Sequence, residues 1–138
     1  MYKNSEGYSD PTAGQAMSRM MKEYKQQQKK RYAEKNRKKV YVASPYAGDV
    51  ETNVRKAIRY CRKVIDAGYM PVANHLMYPA MLDDNNPVER DLGLMFGLAL
   101  LSLCDEVWVF GPASPGMQQE INEAKRLNKK IVYKGVVI

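Results

Sequence analysis

Histidine, tryptophan and phenylalanine are scarce in this chain, with one His, one Trp and two Phe in 138 residues. Cysteine is as rare. Cys61 and Cys104 both sit in apolar patterns, with no second Cys or His at ligand-like spacing. That argues against a zinc site and for two buried thiols in a reducing compartment. Long hydrophobic runs are missing as well: the longest, Leu92 to Leu103, falls short of the roughly 20 residues that span a bilayer. The opening MYKNSEGYSD has neither the basic nor the apolar region of a signal peptide, so the expectation is a cytoplasmic protein without a membrane partner. No P-loop or G-x-G-x-x-G is present, and no residue cluster calls for a metal or an organic cofactor.

What is there is ordinary globular composition, 45% hydrophobic and 27% charged, which excludes wholesale disorder and fibrous classes. At 138 residues the chain has room for one compact domain and an appendage. The net charge of +7 is unevenly placed. Residues 1–39 carry eleven Lys/Arg against four Asp/Glu, and residues 40–138 carry eleven of each. The basic character therefore belongs to an arm, residues 1–38, and says little about what the domain, residues 39–138, binds.

Residues 1–11 are polar, contain Gly7 and Pro11, and are expected to be mobile. From Thr12, a candidate N-cap, Ala13, Met17, Met20, Met21 and Tyr24 recur at spacings of three and four, which predicts a helical arm ending near Lys38. KVYVAS, Lys39 to Ser44, reads as a strand closed by Pro45 and Gly48. Thr52 to Ala67 carries a helical apolar stripe and stops at Gly68. Tyr69 to Ala73 predicts a second strand, Asn74 to Asn86 a polar loop, and Pro87 to Leu103 a helix apolar nearly all round. Such a helix needs cover on more than one side, and a subunit contact is the expectation. Glu106 to Phe110, Gly116 to Leu127 and Lys130 to Tyr133 complete a strand, a helix and a strand, with residues 136–138 a possible extension. This alternation predicts a three-layer α/β sandwich, flavodoxin-like or Rossmann-like, with four or five parallel strands. Ligands bind such sheets beyond the carboxyl ends of the strands, which selects Ser44 to Asp49, Asn74 to Pro79 and Gly111 to Glu120.

In the last of these, FGPASPGMQQE, the backbone N–H groups of Gly116, Met117 and Gln118 and the Ser114 hydroxyl are placed to hold an anion at a helix start. Glu120 lies one turn further in, about 60° from the apolar stripe of Met117, Ile121 and Ala124. Two readings fit it: a carboxylate bordering the buried face at the mouth of the sheet, or a helix-favouring Glu near a positive dipole end. SPYAGD, Ser44 to Asp49, offers hydroxyl, phenol and backbone donors through Ser44, Tyr46 and Gly48, or is a tight turn in which Asp49 caps the next helix. His75 stands where the second strand ends, as a structural or a catalytic His. Asp91 opens the apolar helix with Arg90; it either serves the helix dipole or faces the same cleft as Glu120 and shares the chemistry with it.

The runs YVASPYAGDVETN, PVANHLMYP, ERDLGL and CDEVWVFGPASPGMQQEINEA, in that order, resemble the nucleoside 2-deoxyribosyltransferase-like superfamily, in particular a branch of small phage and bacterial proteins. The likeness covers about residues 39–134. It implies a flavodoxin-like sandwich and an enzyme that cleaves the N-glycosidic bond of nucleosides or their 5′-monophosphates, a Glu attacking the anomeric carbon and the sugar passing to water or another base. By position the resemblance makes Glu120 the nucleophile and Asp91 its assistant. Ser114 and Gly116, with Met117, would contact a 5′-phosphate, and Ser44, Tyr46, Gly48 and His75 would line the sugar and base pocket.

Three functions follow as expectations: an N-glycosidase or deoxyribosyltransferase, a non-catalytic nucleotide-binding protein of the same fold, and an arm that binds nucleic acid through its Lys/Arg run. For the arm, a Met/Tyr stripe packed on a neighbouring subunit of a homodimer or higher homo-oligomer fits the periodicity better.

Overall fold

A computed structural model describes residues 11–135; the polar segment 1–10 and the extension 136–138 lie outside the described residues. The chain divides into two units, 1–37 and 38–138. Among its described residues the first holds one helix, α1 (Pro11–Lys35). Thr12 lies inside this helix and is not its cap. Met17, Met20, Met21 and Tyr24 stand exposed on it.

In the second unit the elements run β1 (Lys39–Ala43), α2 (Val50–Asp66), β2 (Met70–Val72), two short 3-10 turns (Asn74–Leu76 and Tyr78–Ala80), α3 (Pro87–Ser102), β3 (Glu106–Val109), α4 (Pro115–Arg126) and β4 (Lys130–Tyr133). The four strands form one sheet in the order β2-β1-β3-β4, every neighbouring pair parallel. The predicted flavodoxin-like architecture is present, with four strands.

Local chemistry explains where the elements start and stop. Asp49 accepts from Thr52 N and caps α2, and Gly68 after it takes φ +92°. Asn86 accepts from Val88 N and Glu89 N to cap α3, and Pro87 fills the first helical position, where no N–H is needed.

Strand periodicity sorts the core into two faces. Tyr41 and Ala43 of β1 and Val107 and Val109 of β3 point to one side, where they meet Leu101 and Cys104 at the end of α3 and Met117, Ile121 and Ala124 of α4. Val40, Val42 and Trp108 point to the other and meet Tyr60 and Val64 of α2, with the Tyr60 ring stacked on Phe110 at 4.4 Å. The apolar α3 is only half used. Gly97 and Leu101 are buried, whereas Val88, Leu92, Met95 and Leu103 are exposed.

The fold thus depends on the inward side of α3. Leu101→Ala is expected to cost about 2–5 kcal/mol of unfolding free energy in urea titration, while the same truncation at exposed Leu103 changes it by under about 0.5 kcal/mol. Equal losses at both positions would contradict this assignment of faces.

Candidate active site

Because all four strands are parallel, the loops after β1, β2 and β3 meet at one end of the sheet. There they enclose a cavity of about 540 Å³, within the roughly 300–1,000 Å³ usual for small-molecule sites. Ser44, Tyr46, His75, Ser114, Gly116, Met117 and Glu120, all named from the sequence, line it. Gly48 and Asp91 do not.

Gly48 has a turn-making role. Its φ of +96° is left-handed, and its carbonyl accepts from Val50 N. The loop before it is pinned by Asn53, whose Nδ2 donates to Tyr46 O at 3.0 Å and Ala47 O at 3.1 Å. Asp91 is exposed. It lies two residues from Gly93, about 200° around α3, and the side of α3 that reaches the cavity carries Arg90, Gly93 and Leu94. The expectation that Asp91 shares the cleft with Glu120 is therefore not met within this chain.

The anion cradle also needs correcting. The Ser114 hydroxyl oxygen accepts from Met117 N at 3.3 Å, and Ser114 O accepts from Gln118 N at 2.8 Å. Two of the three amides expected to hold an anion are thus committed within α4, Met117 N to the Ser114 cap and Gln118 N to the first backbone bond of the helix.

Glu120 is buried, 5% exposed, among the core residues of α4. With Met117 and Ile121 anchored in the core, the helix register forces its carboxyl under the cavity. Burial pushes its pKa up to about 8, while a hydrogen bond from Tyr41 pulls it back down. Tyr41 reaches it from β1, and burial and the Glu120 charge raise that phenol well above its ordinary value. Also in the lining, His75 stacks on Tyr46, ring centroids 4.8 Å apart and 15° from parallel. Burial lowers the His75 pKa and favours the neutral imidazole, against a hydrogen bond to the Ser44 backbone that raises it. Arg90 on the rim donates through Nε and Nη2 to Asp84 O at 3.1 and 3.0 Å.

Among the described residues, three buried side-chain atoms have no hydrogen-bond partner: Ser44 Oγ, Asn74 Oδ1 and Glu120 Oε2. All three belong to residues lining this cavity. An unsatisfied buried polar atom costs about 1–3 kcal/mol, and three around one cavity mark a place shaped for polar partners. The sequence selects the segment that holds Asn74 and Tyr78 without giving either a role, and it does not single out Tyr41. The two-residue period of β1, with Tyr41 on the face of Ala43, was the available signal for Tyr41. Among the described residues, no group of three or more His, Cys, Asp or Glu could hold a metal ion, and no helix is long and apolar enough to cross a membrane.

A family model described as a domain of unknown function, DUF7768, matches residues 38–134. The chain belongs to the DUF7768 family. Among solved structures, this DUF7768 protein is similar to the 2-deoxyribosyltransferase of Bacillus psychrosaccharolyticus, at 15% identity and a TM-score of 0.59, over 70% of this chain and 72% of that one. That likeness establishes a shared fold. No curated protein matches the sequence.

The Glu120 pKa carries a stability consequence. Between the ordinary value of 4.5 and about 8 the folded protein keeps a proton that the unfolded chain has lost, so stability falls as pH rises through that window. In Glu120→Gln this penalty disappears. The melting temperature of the variant relative to the native protein is expected to climb from pH 5 to pH 9; a difference that stays constant would contradict the raised pKa.

Proposed function

We propose that this cavity cleaves the N-glycosidic bond of a nucleoside or nucleoside 5′-monophosphate, by hydrolysis or deoxyribosyl transfer, with Glu120 as nucleophile. The observation that carries the reading is a single buried carboxylate under a small-molecule cavity at the carboxyl end of a parallel sheet, in a fold shared with a 2-deoxyribosyltransferase.

In this reading the ionised Glu120 oxygen forms a bond to C1′ of the sugar as the C1′–N bond breaks, and the bonding pair leaves with the base, which takes up a proton. Water or a second base then attacks C1′ and releases the carboxylate. Tyr41 steadies the anion through its hydroxyl, and the buried site strengthens that interaction. The Tyr46–His75 stack offers a flat apolar wall to a planar base, and Ser44 Oγ and Asn74 Oδ1 offer polar partners to sugar hydroxyls. Ser114, Gly116 and Met117 line the end of the cavity where a 5′-phosphate would meet the start of α4. Asp91, exposed on α3, takes part only if a second copy brings it to a cavity.

One observation favours the alternative, a nucleotide-binding protein without turnover: with its pKa near 8, Glu120 is mostly protonated at neutral pH, and a protonated carboxyl is a poor nucleophile. Both readings are tested by incubating the protein with a panel of nucleosides and monophosphates and separating free base by chromatography. Catalysis predicts base release whose kcat/KM rises with pH and levels off above about 8, and which drops by about 10⁴-fold in Glu120→Ala. Release that survives in Glu120→Ala would contradict the role given to Glu120, and intact nucleotide recovered from a tight complex would establish the binding protein.

The exposed row Val88, Leu92, Met95 and Leu103 supports a homo-oligomer in which a second copy covers α3. Leu92→Glu together with Met95→Glu is expected to reduce the mass measured by light scattering to that of one chain; a native protein that is already monomeric would contradict this.

A further inference from the structure

Asn74 opens the turn that follows β2, and its amide is held on two sides. Nδ2 donates to the Gly93 carbonyl of α3 at 3.4 Å. A carbonyl oxygen can only accept, so the NH2 end of the amide must be the end that faces α3. Gly97 makes the approach possible: a Cβ there would collide with Asn74 Nδ2 and stand 3.2 Å from its Cγ and 3.4 Å from Tyr41 Oη. Asn74 Nδ2 and Tyr41 Oη thus meet over the same glycine, and Tyr41 of β1 and Glu120 of α4 act on each other's ionisation.

We propose that Asn74 is a positioning residue for Glu120: its amide donates to the Tyr41 oxygen, so that the one phenolic hydrogen is directed to the Glu120 carboxylate. A phenol carries a single hydrogen and is both donor and acceptor. Once its oxygen accepts from Nδ2, the phenol's hydrogen is free for Glu120. Gly97 is the second member of the device, because it gives Asn74 its place. The catalytic consequence rests on the proposed reaction at Glu120, but the hydrogen-bond order belongs to the free protein.

The other ionisable groups around the cavity are Tyr46 from the loop after β1, His75 and Tyr78 from the turns after β2, and Asp84, Glu89 and Arg90 from α3 and the loop before it. Cys104, after α3, also acts on Tyr41. Burial lowers the His75 pKa, and Arg90 is tied to the Asp84 carbonyl. It is the Tyr41 hydroxyl that pulls the Glu120 pKa down.

The test is ¹³C NMR of the full chain labelled at its glutamate carboxyls, the Glu120 signal being assigned by its loss in Glu120→Gln. The native protein is expected to titrate near 8. Asn74→Leu keeps the shape and removes the donor, and Gly97→Ala displaces the amide without changing its chemistry. Each is expected to raise the Glu120 midpoint by about one pH unit, and Asn74→Asp, which accepts the phenolic hydrogen and adds a negative charge, by more. Circular dichroism checks that each variant is folded, and Gly97→Ala serves if the Asn74 variants are not. An unmoved midpoint in folded Asn74→Leu or Gly97→Ala overturns the proposal, as does a rise confined to Asn74→Asp, which would be charge repulsion alone. Base release from the same samples separates the two readings. A shifted midpoint without base release upholds Asn74 and removes the glycosidase, and base release with an unshifted midpoint does the reverse.

Discussion

The burial of one carboxyl group, that of Glu120, is the constraint around which this site is arranged. Its neighbours on α4, Met117, Ile121 and Ala124, are core residues packed against β1 and β3, so the helix cannot turn Glu120 out to water without pulling them from the core. The helix start is fixed as well, by the Ser114 cap and Pro115. Burial disfavours the charged form, and one Tyr41 hydrogen bond only partly offsets it. The group is therefore kept close to the balance between acid and anion, where a small change in surroundings moves its charge. Strained ionisation of this kind is a feature of functional sites, where stability is given up locally for chemistry.

The parallel sheet supplies the rest by topology. β1 is interior, with β2 and β3 on either side, so its end places Tyr41 and Ser44 between the Asn74–His75 turn after β2 and the Ser114–Glu120 segment after β3. No long-range coincidence is required for these groups to meet. The crossover helices bring the chain back to the same edge each time. The partnerless oxygens of Ser44, Asn74 and Glu120 are the residue of that convergence: the strand ends are buried, yet their side chains do not satisfy one another.

Much of this was legible in the sequence, and the rest was not for identifiable reasons. KVYVAS and EVWVF announce buried parallel strands through β-branched and aromatic runs, and the Pro and Gly residues after them mark the loops that build the site. Glu120 was legible because α4 has a clear apolar stripe to measure from. Asp91 was misplaced because α3 is apolar nearly all round, leaving no stripe to say which side faces the cavity. The structure resolves it through two glycines, Gly93 and Gly97, whose small size lets Leu82 and Asn74 approach. The Gly116–Gln118 amides are ambiguous in the sequence because a helix start uses N–H groups that an anion cradle would also use, and the pattern Ser-Pro-Gly suits both. Asn74 opens a segment that the sequence selects, but its contact with α3 depends on a glycine 23 positions away on another element, and no local spacing encodes that.

In the proposed function the Glu120 carboxyl stands where a sugar's anomeric carbon is delivered. The most direct measurement is a crystal structure of the protein soaked with a nucleoside 5′-monophosphate at a pH below the Glu120 pKa, where the carboxyl is protonated and turnover is slow. The nucleotide is expected in the cavity with C1′ about 3–3.5 Å from a Glu120 oxygen and the base against Tyr46. A nucleotide bound with its sugar away from Glu120, or bound outside the cavity, would contradict that function.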